Sequence, residues 1–296
     1  MKYSTGVALV FLAGLVWSVQ GLIIKSIPDA GPWTVLFWRS LGMVPVLLVW
    51  LAVSSRGRVW GELRGAGLTG VLGGLGLVMA FSGAIYSFQT TSVANAVLLF
   101  TASPFFAAVL GRLLLHEPVS VLTWVAIGLA VLGVAVMVGG GMAGGSLTGN
   151  AAALLSALGF AGFTVTCRWG RLTNMLPAVL LGGVFATLAG AVAATALGQP
   201  LMIPLRDIAL ATAMGAVTLA GGLILYTIGS RVVPAAQATL ISLVEVLLAP
   251  VWAWAFLGEI VAAGTLIGGA VLLVAVVMNA YGGRSLPRAK PFHPVN

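Results

Sequence analysis

The sequence predicts an all-α polytopic membrane protein, and three observations lead to this fold class. First, 60% of the 296 residues are hydrophobic and only 7% are charged, whereas a soluble domain carries about 25% charged residues. Second, the apolar runs are continuous, unlike the alternating strands of a membrane barrel. Third, backbone groups in lipid must be satisfied within their own segment, which favours helices. A water-soluble protein and a disordered chain are both excluded.

Ten apolar segments are long enough to cross a hydrocarbon core, which takes about 20 residues per helix. Short separators that carry charges, glycine or proline divide them. The polar stretch 283–296 contains proline and is expected to be a disordered cytoplasmic tail. The predicted spans are 4–24, 33–53, 65–87, 91–114, 120–140, 147–167, 175–198, 207–230, 235–257 and 261–282.

Basic residues are distributed unevenly between the two sets of loops. With a cytoplasmic N-terminus, eleven of them lie inside, two (Lys25 and Arg206) lie outside, and Arg39 lies within the second span. This bias agrees with the positive-inside rule. We therefore expect a multi-pass protein of the plasma membrane (bacterial inner membrane) with both termini in the cytoplasm. The eleven are Lys2, Arg56, Arg58, Arg64, Arg112, Arg168, Arg171, Arg231, Arg284, Arg288 and Lys290.

The two halves of the chain resemble each other. With an offset of 142, the segment 63–137 aligns with the second half without a gap, and Glu117 falls on Glu259. With an offset of 143, Lys25 at the end of the first span falls on Arg168 at the end of the sixth. Chance matches are common among apolar residues, so the charged coincidences carry this comparison.

Each copy of the repeat holds five spans, with the first copy at 1–140 and the second at 146–282. Because five is odd, the second copy begins on the opposite side of the membrane. The sequence thus predicts two inverted repeats around a central cavity, related by a pseudo-two-fold axis in the membrane plane. Inverted repeats are typical of secondary transporters, in which the two copies exchange conformations to alternate access.

Short motifs follow one another along the spans. They are Leu15-Val16-Trp17-Ser18 with Lys25, Phe37-Trp38-Arg39, Thr91-Ser92 with Pro104 and Leu115-His116-Glu117, and Glu245 with Leu257-Gly258-Glu259. In this order they resemble the drug/metabolite transporter superfamily, in its ten-helix EamA-type branch, over about 4–282. Val246 departs from the family pattern where a proline is expected, and His116 where a glycine is expected.

The resemblance implies a ten-helix exporter of amino acids or other small metabolites. Aromatic residues near the predicted cavity make the chain similar to the YddG kind of amino-acid exporter. That similarity implies aromatic or other apolar amino acids as substrates.

Glu245 and Arg39 are the charged candidates for a substrate site. A charged side chain at the bilayer centre costs about 2.5–3.5 kcal/mol on insertion scales, so Glu245 must face the interior, be protonated or be paired. It is expected to bind a substrate ammonium or a proton; an ion pair with Arg39 or a hydrogen-bonded neutral acid is the alternative. Arg39 could bind a substrate carboxylate through its planar fork, or extend to the interface and brace a helix end.

Polar and aromatic side chains complete the predicted site. Trp17 and Gln20 suit an amphipathic ligand, with lipid-facing packing as the alternative for Trp17. Asn95 is expected either to bind substrate or to join two helices. Trp252 and Trp254 are two residues apart, so at most one of them reaches the cavity. The remaining candidates, whose hydroxyls could equally bond to the backbone or line the cavity, are Ser82, Tyr86, Thr101 and Ser103.

Four further residues lie at predicted bends and helix ends. Pro104 and Pro250 interrupt helix hydrogen bonding, which makes them candidates for gating hinges or for static kinks. Glu117 and Glu259 precede the fifth and tenth spans, where a negative charge stabilises a helix N-terminus; a gating role is the alternative.

These features favour a secondary transporter or facilitator for a small molecule, an amino acid or related metabolite, with membrane lipid and, if transport is coupled, protons as partners. No P-loop motif occurs, so no nucleotide is expected, and neither nucleic acid, cofactor nor metal is expected. An intramembrane enzyme would need clustered catalytic groups at membrane depth, which the sequence lacks. A lipid flippase or a partner-binding membrane subunit is the remaining alternative.

Overall fold

The computed structural model describes residues 1–139, 146–170, 174–229, 232–233, 241 and 244–282. Within these ranges the regular secondary structure is entirely helical. Eight helical segments are long and apolar enough to cross a membrane, and two shorter apolar helices follow, which is consistent with ten membrane helices. The predicted all-α polytopic membrane protein is therefore confirmed. The predicted tail, 283–296, lies outside the described residues.

The spans, numbered TM1 to TM10, begin and end close to the predicted positions. TM1 is Tyr3–Ser18 with Gln20–Lys25, TM2 is Pro32–Ser54, TM3 is Val59–Thr90, TM4 is Val93–Phe100 with Ser103–Leu115, TM5 is Val121–Gly139, TM6 is Leu147–Trp169, TM7 is Leu176–Ala196, TM8 is Leu205–Ala213 with Met214–Gly221 and Gly222–Gly229, TM9 is Val244–Leu257 and TM10 is Ala263–Gly282.

Three spans depart from a straight α-helix. TM3 starts six residues before its predicted start at 65 and bends at Gly67, whose combination of φ 53° and ψ −151° is accessible at little cost only to glycine. TM4 is broken between Phe100 and Ser103, and Pro104 lies in the first turn of its second helix, where a proline needs no amide donor. TM8 contains a π-helical section, Met214–Gly221, which the sequence did not predict.

The packing between the two copies repeats itself. TM2 packs against TM7 and TM5 against TM10, so each of these spans contacts its own equivalent. TM3 packs against TM6 as TM8 does against TM1, and TM3 packs against TM7 as TM8 does against TM2. TM4 likewise contacts TM6, and TM9 contacts TM1. This exchange pattern is the one expected of two copies related by a two-fold axis.

Glycine lets the two spans of the TM5–TM10 pair approach to backbone contact. A Cβ atom added at Gly133 would lie 2.7 Å from the carbonyl oxygen of Gly268 and 3.0 Å from the amide nitrogen of Leu272. Gly128 lies in the same helix, but a Cβ atom there would meet no atom within 4 Å. Small residues at such crossings are what allow membrane helices to pack closely.

We predict that Gly133→Val destabilises the protein and that Gly128→Val does not. The valine at position 133 must push TM10 away, and overpacking of this kind costs about 1–3 kcal/mol. Thermal unfolding of the detergent-solubilised variants measures the difference. Equal melting temperatures for the two variants would show that the TM5–TM10 contact is not tight.

Candidate functional site

An aromatic cluster lies where TM1, TM8 and TM9 meet. The rings of Trp17 and Tyr226 are 5.7 Å apart between centroids. The indole nitrogen of Trp252 donates to the hydroxyl oxygen of Ser18 at 2.9 Å, and Ser18 in turn donates to the Leu15 carbonyl at 2.7 Å. Trp17 thus contacts TM8, and Trp252 of TM9 bonds to the neighbouring residue of TM1.

Glycine also positions Trp17. A Cβ atom at Gly222 would collide with the indole ring, so only glycine leaves room for the ring at this point of TM8. The Trp17 indole nitrogen is buried and has no hydrogen-bond partner among the described residues. Trp254, in contrast, is exposed on the outside of the bundle. That at most one of Trp252 and Trp254 reaches the cavity stays a prediction.

Arg39 is buried inside the protein, with only 2% of its surface exposed. Its guanidinium carbon lies 4.8 Å from the centroid of the Phe81 ring, a cation–π contact between TM2 and TM3. Its Nε and Nη2 atoms have no hydrogen-bond partner in the described part of the chain. Arg39 therefore does not extend to the membrane surface.

The π-helical section of TM8 packs directly against Arg39. A Cβ atom at Gly215 would overlap the Arg39 carbonyl oxygen, so the two backbones are in contact. Within the section, the Thr218 hydroxyl donates to the Met214 carbonyl at 2.6 Å. π-Helical turns are frequent at functional sites. The only sequence signal for this one is the concentration of glycine at positions 215, 221 and 222.

Glu245 lies in the first turn of TM9, which contacts TM1 and TM4. No hydrogen bond or ion pair joins its carboxyl group to another described residue. The alternative of an ion pair with Arg39 is not realised, because the described ion pairs within 4.0 Å are Lys25–Glu259, Arg168–Glu117 and Arg206–Asp207. Val246, which replaces the expected proline, is buried next to it.

Asn95 forms the centre of a buried polar network. The Asn95 side-chain nitrogen donates to the Asn150 amide oxygen at 3.3 Å, and the Thr265 hydroxyl donates to the Asn95 amide oxygen at 2.5 Å. The Thr91 hydroxyl donates to the same Asn150 oxygen at 2.9 Å. Asn95 thus joins TM4 to TM6 and TM10, which is the helix-joining alternative left open by the sequence. Asn150 and Thr265 could not be recognised as its partners without the fold.

We predict that Asn95→Ala lowers the melting temperature of the protein. Removing the amide leaves the Thr265 hydroxyl without its buried acceptor, at a cost of about 1–3 kcal/mol, and leaves the Asn150 amide oxygen with the Thr91 hydroxyl as its remaining donor. Ser82→Ala is the matched control, because the Ser82 hydroxyl donates only to carbonyls of its own helix, at 2.8 Å and 3.3 Å. If both variants melt with the wild type, the network does not hold the three spans together.

The remaining predicted residues are less closely connected. The Thr101 hydroxyl donates to the Leu98 carbonyl at 2.6 Å, so it takes the backbone-bonded alternative, as Ser82 does. Tyr86 is exposed, and Gln20 and Ser103 are half-buried. Pro250 lies inside TM9, seven residues before its end. None of these residues forms a hydrogen bond with the Arg39 side chain in the described part of the chain.

Two apolar grooves are open at the surface. One, of about 500 Å³, lies between TM2 and TM8 and is lined by Pro45, Val46, Val49, Trp50, Val53 and Ile224. The other, of about 260 Å³, lies between TM5 and TM10. Neither is lined by a predicted substrate residue, so the central cavity stays a prediction. The described residues contain no cluster of three or more His, Cys, Asp or Glu side chains that could hold a metal ion.

The chain belongs to the EamA-like transporter family, whose model matches residues 4–139 and again residues 147–281. The predicted resemblance to this family is thereby confirmed. The pseudopaline exporters CntI of two Pseudomonas aeruginosa strains, UCBPP-PA14 and PAO1, are each 27% identical over 92% of this chain and 95% of their own length. A protein crystal structure aligns over 96% of this chain and 99% of its own with a TM-score of 0.63 and 18% identity, which shows the shared fold.

The comparisons also establish the broad function. The family and the two relatives are transporters, and the relatives are exporters of a small molecule. The chain is therefore a multi-pass membrane protein of a small-molecule transporter family.

Proposed function

We propose that this protein exports amino acids with aromatic or other apolar side chains by alternating access, as a transporter of the YddG kind. It would lie in the plasma membrane, the inner membrane of a bacterium, with both termini in the cytoplasm. The observation that carries the proposal is Arg39. A guanidinium so deeply buried, with Nε and Nη2 lacking partners among the described residues, is costly unless an anion binds to it.

The three parts of an amino acid each have a candidate partner. The planar fork of Arg39 suits a carboxylate, which it can bind through two parallel hydrogen bonds. Glu245 suits the ammonium group, since no described residue neutralises it. The Trp17–Tyr226 cluster, with Trp252 beside it, offers apolar surface for the side chain.

Glu245 is also the candidate proton carrier. It lies near the middle of the predicted ninth span, and the other five acids are near predicted span ends or in loops. In a coupled exporter a proton would compete with the substrate ammonium for this carboxylate. In a facilitator, the substrate gradient alone would drive export.

A second candidate substrate is pseudopaline, because the two relatives that align over most of this chain export it. A lipid flippase is the alternative of a different class. These three hypotheses all fit the same architecture of inverted repeats, so a transport assay must identify the substrate.

Counterflow into proteoliposomes distinguishes these possibilities. The purified chain is reconstituted, loaded with unlabelled compound and offered labelled phenylalanine, leucine, glutamate or pseudopaline, with and without a pH gradient. We expect uptake of phenylalanine and leucine above that of empty liposomes. Uptake of pseudopaline alone, or scrambling of labelled lipid without amino-acid uptake, would refute the amino-acid proposal. Acceleration by the gradient identifies proton coupling.

A further inference from the structure

Two ion pairs join the two copies of the repeat. The Lys25 ammonium nitrogen lies 2.5 Å from Oε1 of Glu259, with 24% and 18% of the two side chains exposed. The Arg168 guanidinium pairs with the Glu117 carboxylate, with 39% of each side chain exposed. The third described ion pair, Arg206–Asp207, joins neighbours within TM8. Among the described ion pairs, the first two alone cross from one copy to the other.

The two ion pairs are formed by equivalent residues of the two copies. Lys25 and Arg168 are equivalent (168 − 25 = 143), and so are Glu117 and Glu259 (259 − 117 = 142). In each pair a base at the end of the first span of one copy meets an acid that precedes the fifth span of the other. The bases are five crossings apart, so the pairs lie at opposite ends of the molecule.

Each pair joins the ends of spans that we expect to lie beside the substrate path. Lys25 ends TM1 and Glu259 follows TM9, and the second oxygen of Glu259 accepts the backbone N–H of Val93 at 2.9 Å, at the start of TM4. The carboxylate thus holds three spans together at this end, beyond the stabilisation of the TM10 N-terminus that the sequence favoured over a gating role.

At the opposite end of the molecule, the second pair joins two spans in a similar way. Arg168 ends TM6 and Glu117 follows TM4, and Gly111 leaves space for both side chains, because a Cβ atom there would lie 2.9 Å from the Glu117 carboxylate and 3.0 Å from the Arg168 guanidinium. Both pairs are formed in one structure, and neither surface groove reaches the predicted residues. Each end of the molecule therefore carries a formed ion pair between the two copies.

We propose that Lys25–Glu259 and Arg168–Glu117 are the two gates of the transport cycle, one opening at each end in turn. This inference rests on the proposed alternating-access function. Ion pairs of this exposure suit the task, because water replaces the contact when the end opens and little free energy is lost. A fully buried pair would be much more costly to separate. The four residues are positioning residues and do not touch the substrate.

The chain supplies a matched pair of reporter positions for a test. Cys167, its sole cysteine, precedes Arg168, and Ile24 precedes Lys25 at the equivalent position (167 − 24 = 143). Both side chains are buried. The native chain therefore reports opening at the Arg168 end. The same chain with Cys167→Ala and Ile24→Cys reports opening at the Lys25 end.

The test measures alkylation rates of these cysteines by a maleimide, with the full chain in lipid nanodiscs so that the reagent reaches both ends. We expect Glu117→Gln to accelerate labelling at position 167 about fivefold and to slow it at position 24. Glu259→Gln should do the reverse. Glu62→Gln is the matched control, since Glu62 forms no ion pair with a described residue and only accepts a hydrogen bond from Asn174 at 3.1 Å.

The reciprocal change distinguishes a gate from a structural contact. A variant that merely loosens the fold exposes both reporters together, and that result, or no change at either reporter, would overturn the proposal. Exchange of the charges, Arg168→Glu with Glu117→Arg, should return labelling at the distant position 24 to its original rate. Labelling needs no substrate, so reciprocal gating with no amino-acid uptake would refute the substrate assignment alone, whereas uptake without reciprocity would refute the gates alone.

Discussion

Glu245→Gln is expected to lower the initial rate of amino-acid counterflow by about 10–100-fold. The amide keeps the size of the side chain but removes the negative charge that we assign to the substrate ammonium, and hydrogen bonds to charged groups contribute about 1.5–3 kcal/mol. The variant should fold as well as the wild type, because a neutral amide is cheaper to bury than a carboxylate with no described partner.

Two controls accompany this measurement. Glu62→Gln makes the same chemical change at the start of TM3, away from the predicted site, and should leave counterflow unaltered. Glu245→Asp keeps the charge on a shorter side chain and should retain part of the rate. Counterflow by Glu245→Gln at the wild-type rate would show that the carboxylate does not bind the substrate ammonium.

The fold could be predicted because it follows from a pattern that repeats along the sequence. Ten apolar segments, their charged separators and the odd number of spans in each copy are all properties of the linear sequence. The bends were harder to predict, since one glycine among forty determines the turn at Gly67. The π-helical section of TM8 packs against the TM2 backbone, a tertiary contact that periodicity does not encode.

The sequence identified candidate site residues one by one, but it did not predict which residues they contact. Polarity at membrane depth singled out Arg39, Asn95 and Glu245, because such residues are expensive there whatever their role. Which partner satisfies each one depends on helix packing. Asn95 found partners on two other spans, whereas Arg39 found an aromatic ring and Glu245 no described partner. That difference now separates a structural amide from two candidate ligand-binding charges.

The ion pairs illustrate the same limit. The repeat alignment identified Lys25 with Arg168 and Glu117 with Glu259 as equivalent positions. It could not show that a base of one copy meets an acid of the other, because equivalence is a property of the sequence and contact is a property of the assembled pair.

Arg39→Gln is expected to remove the preference of the protein for a free carboxylate. In the wild type, phenylalanine should compete for counterflow far better than phenethylamine, which is the same molecule without its carboxylate. A guanidinium that binds a carboxylate through two charge-assisted hydrogen bonds supports a discrimination of roughly 30–100-fold. In the variant the two competitors should become nearly equal, mainly through weaker binding of phenylalanine.

The alternative is that Arg39 only packs on Phe81. Two variants, Phe81→Leu and Arg39→Gln, distinguish this structural role from carboxylate binding. Phe81→Leu removes the cation–π contact, worth about 0.5–2 kcal/mol, but keeps the guanidinium donors, so it should lower the melting temperature and preserve carboxylate selectivity. Arg39→Gln should preserve or raise the melting temperature, because it removes a buried charge that has no ion-pair partner among the described residues. Unchanged selectivity in Arg39→Gln, with a lower melting temperature, would make Arg39 a structural residue and remove the main support for an amino-acid substrate.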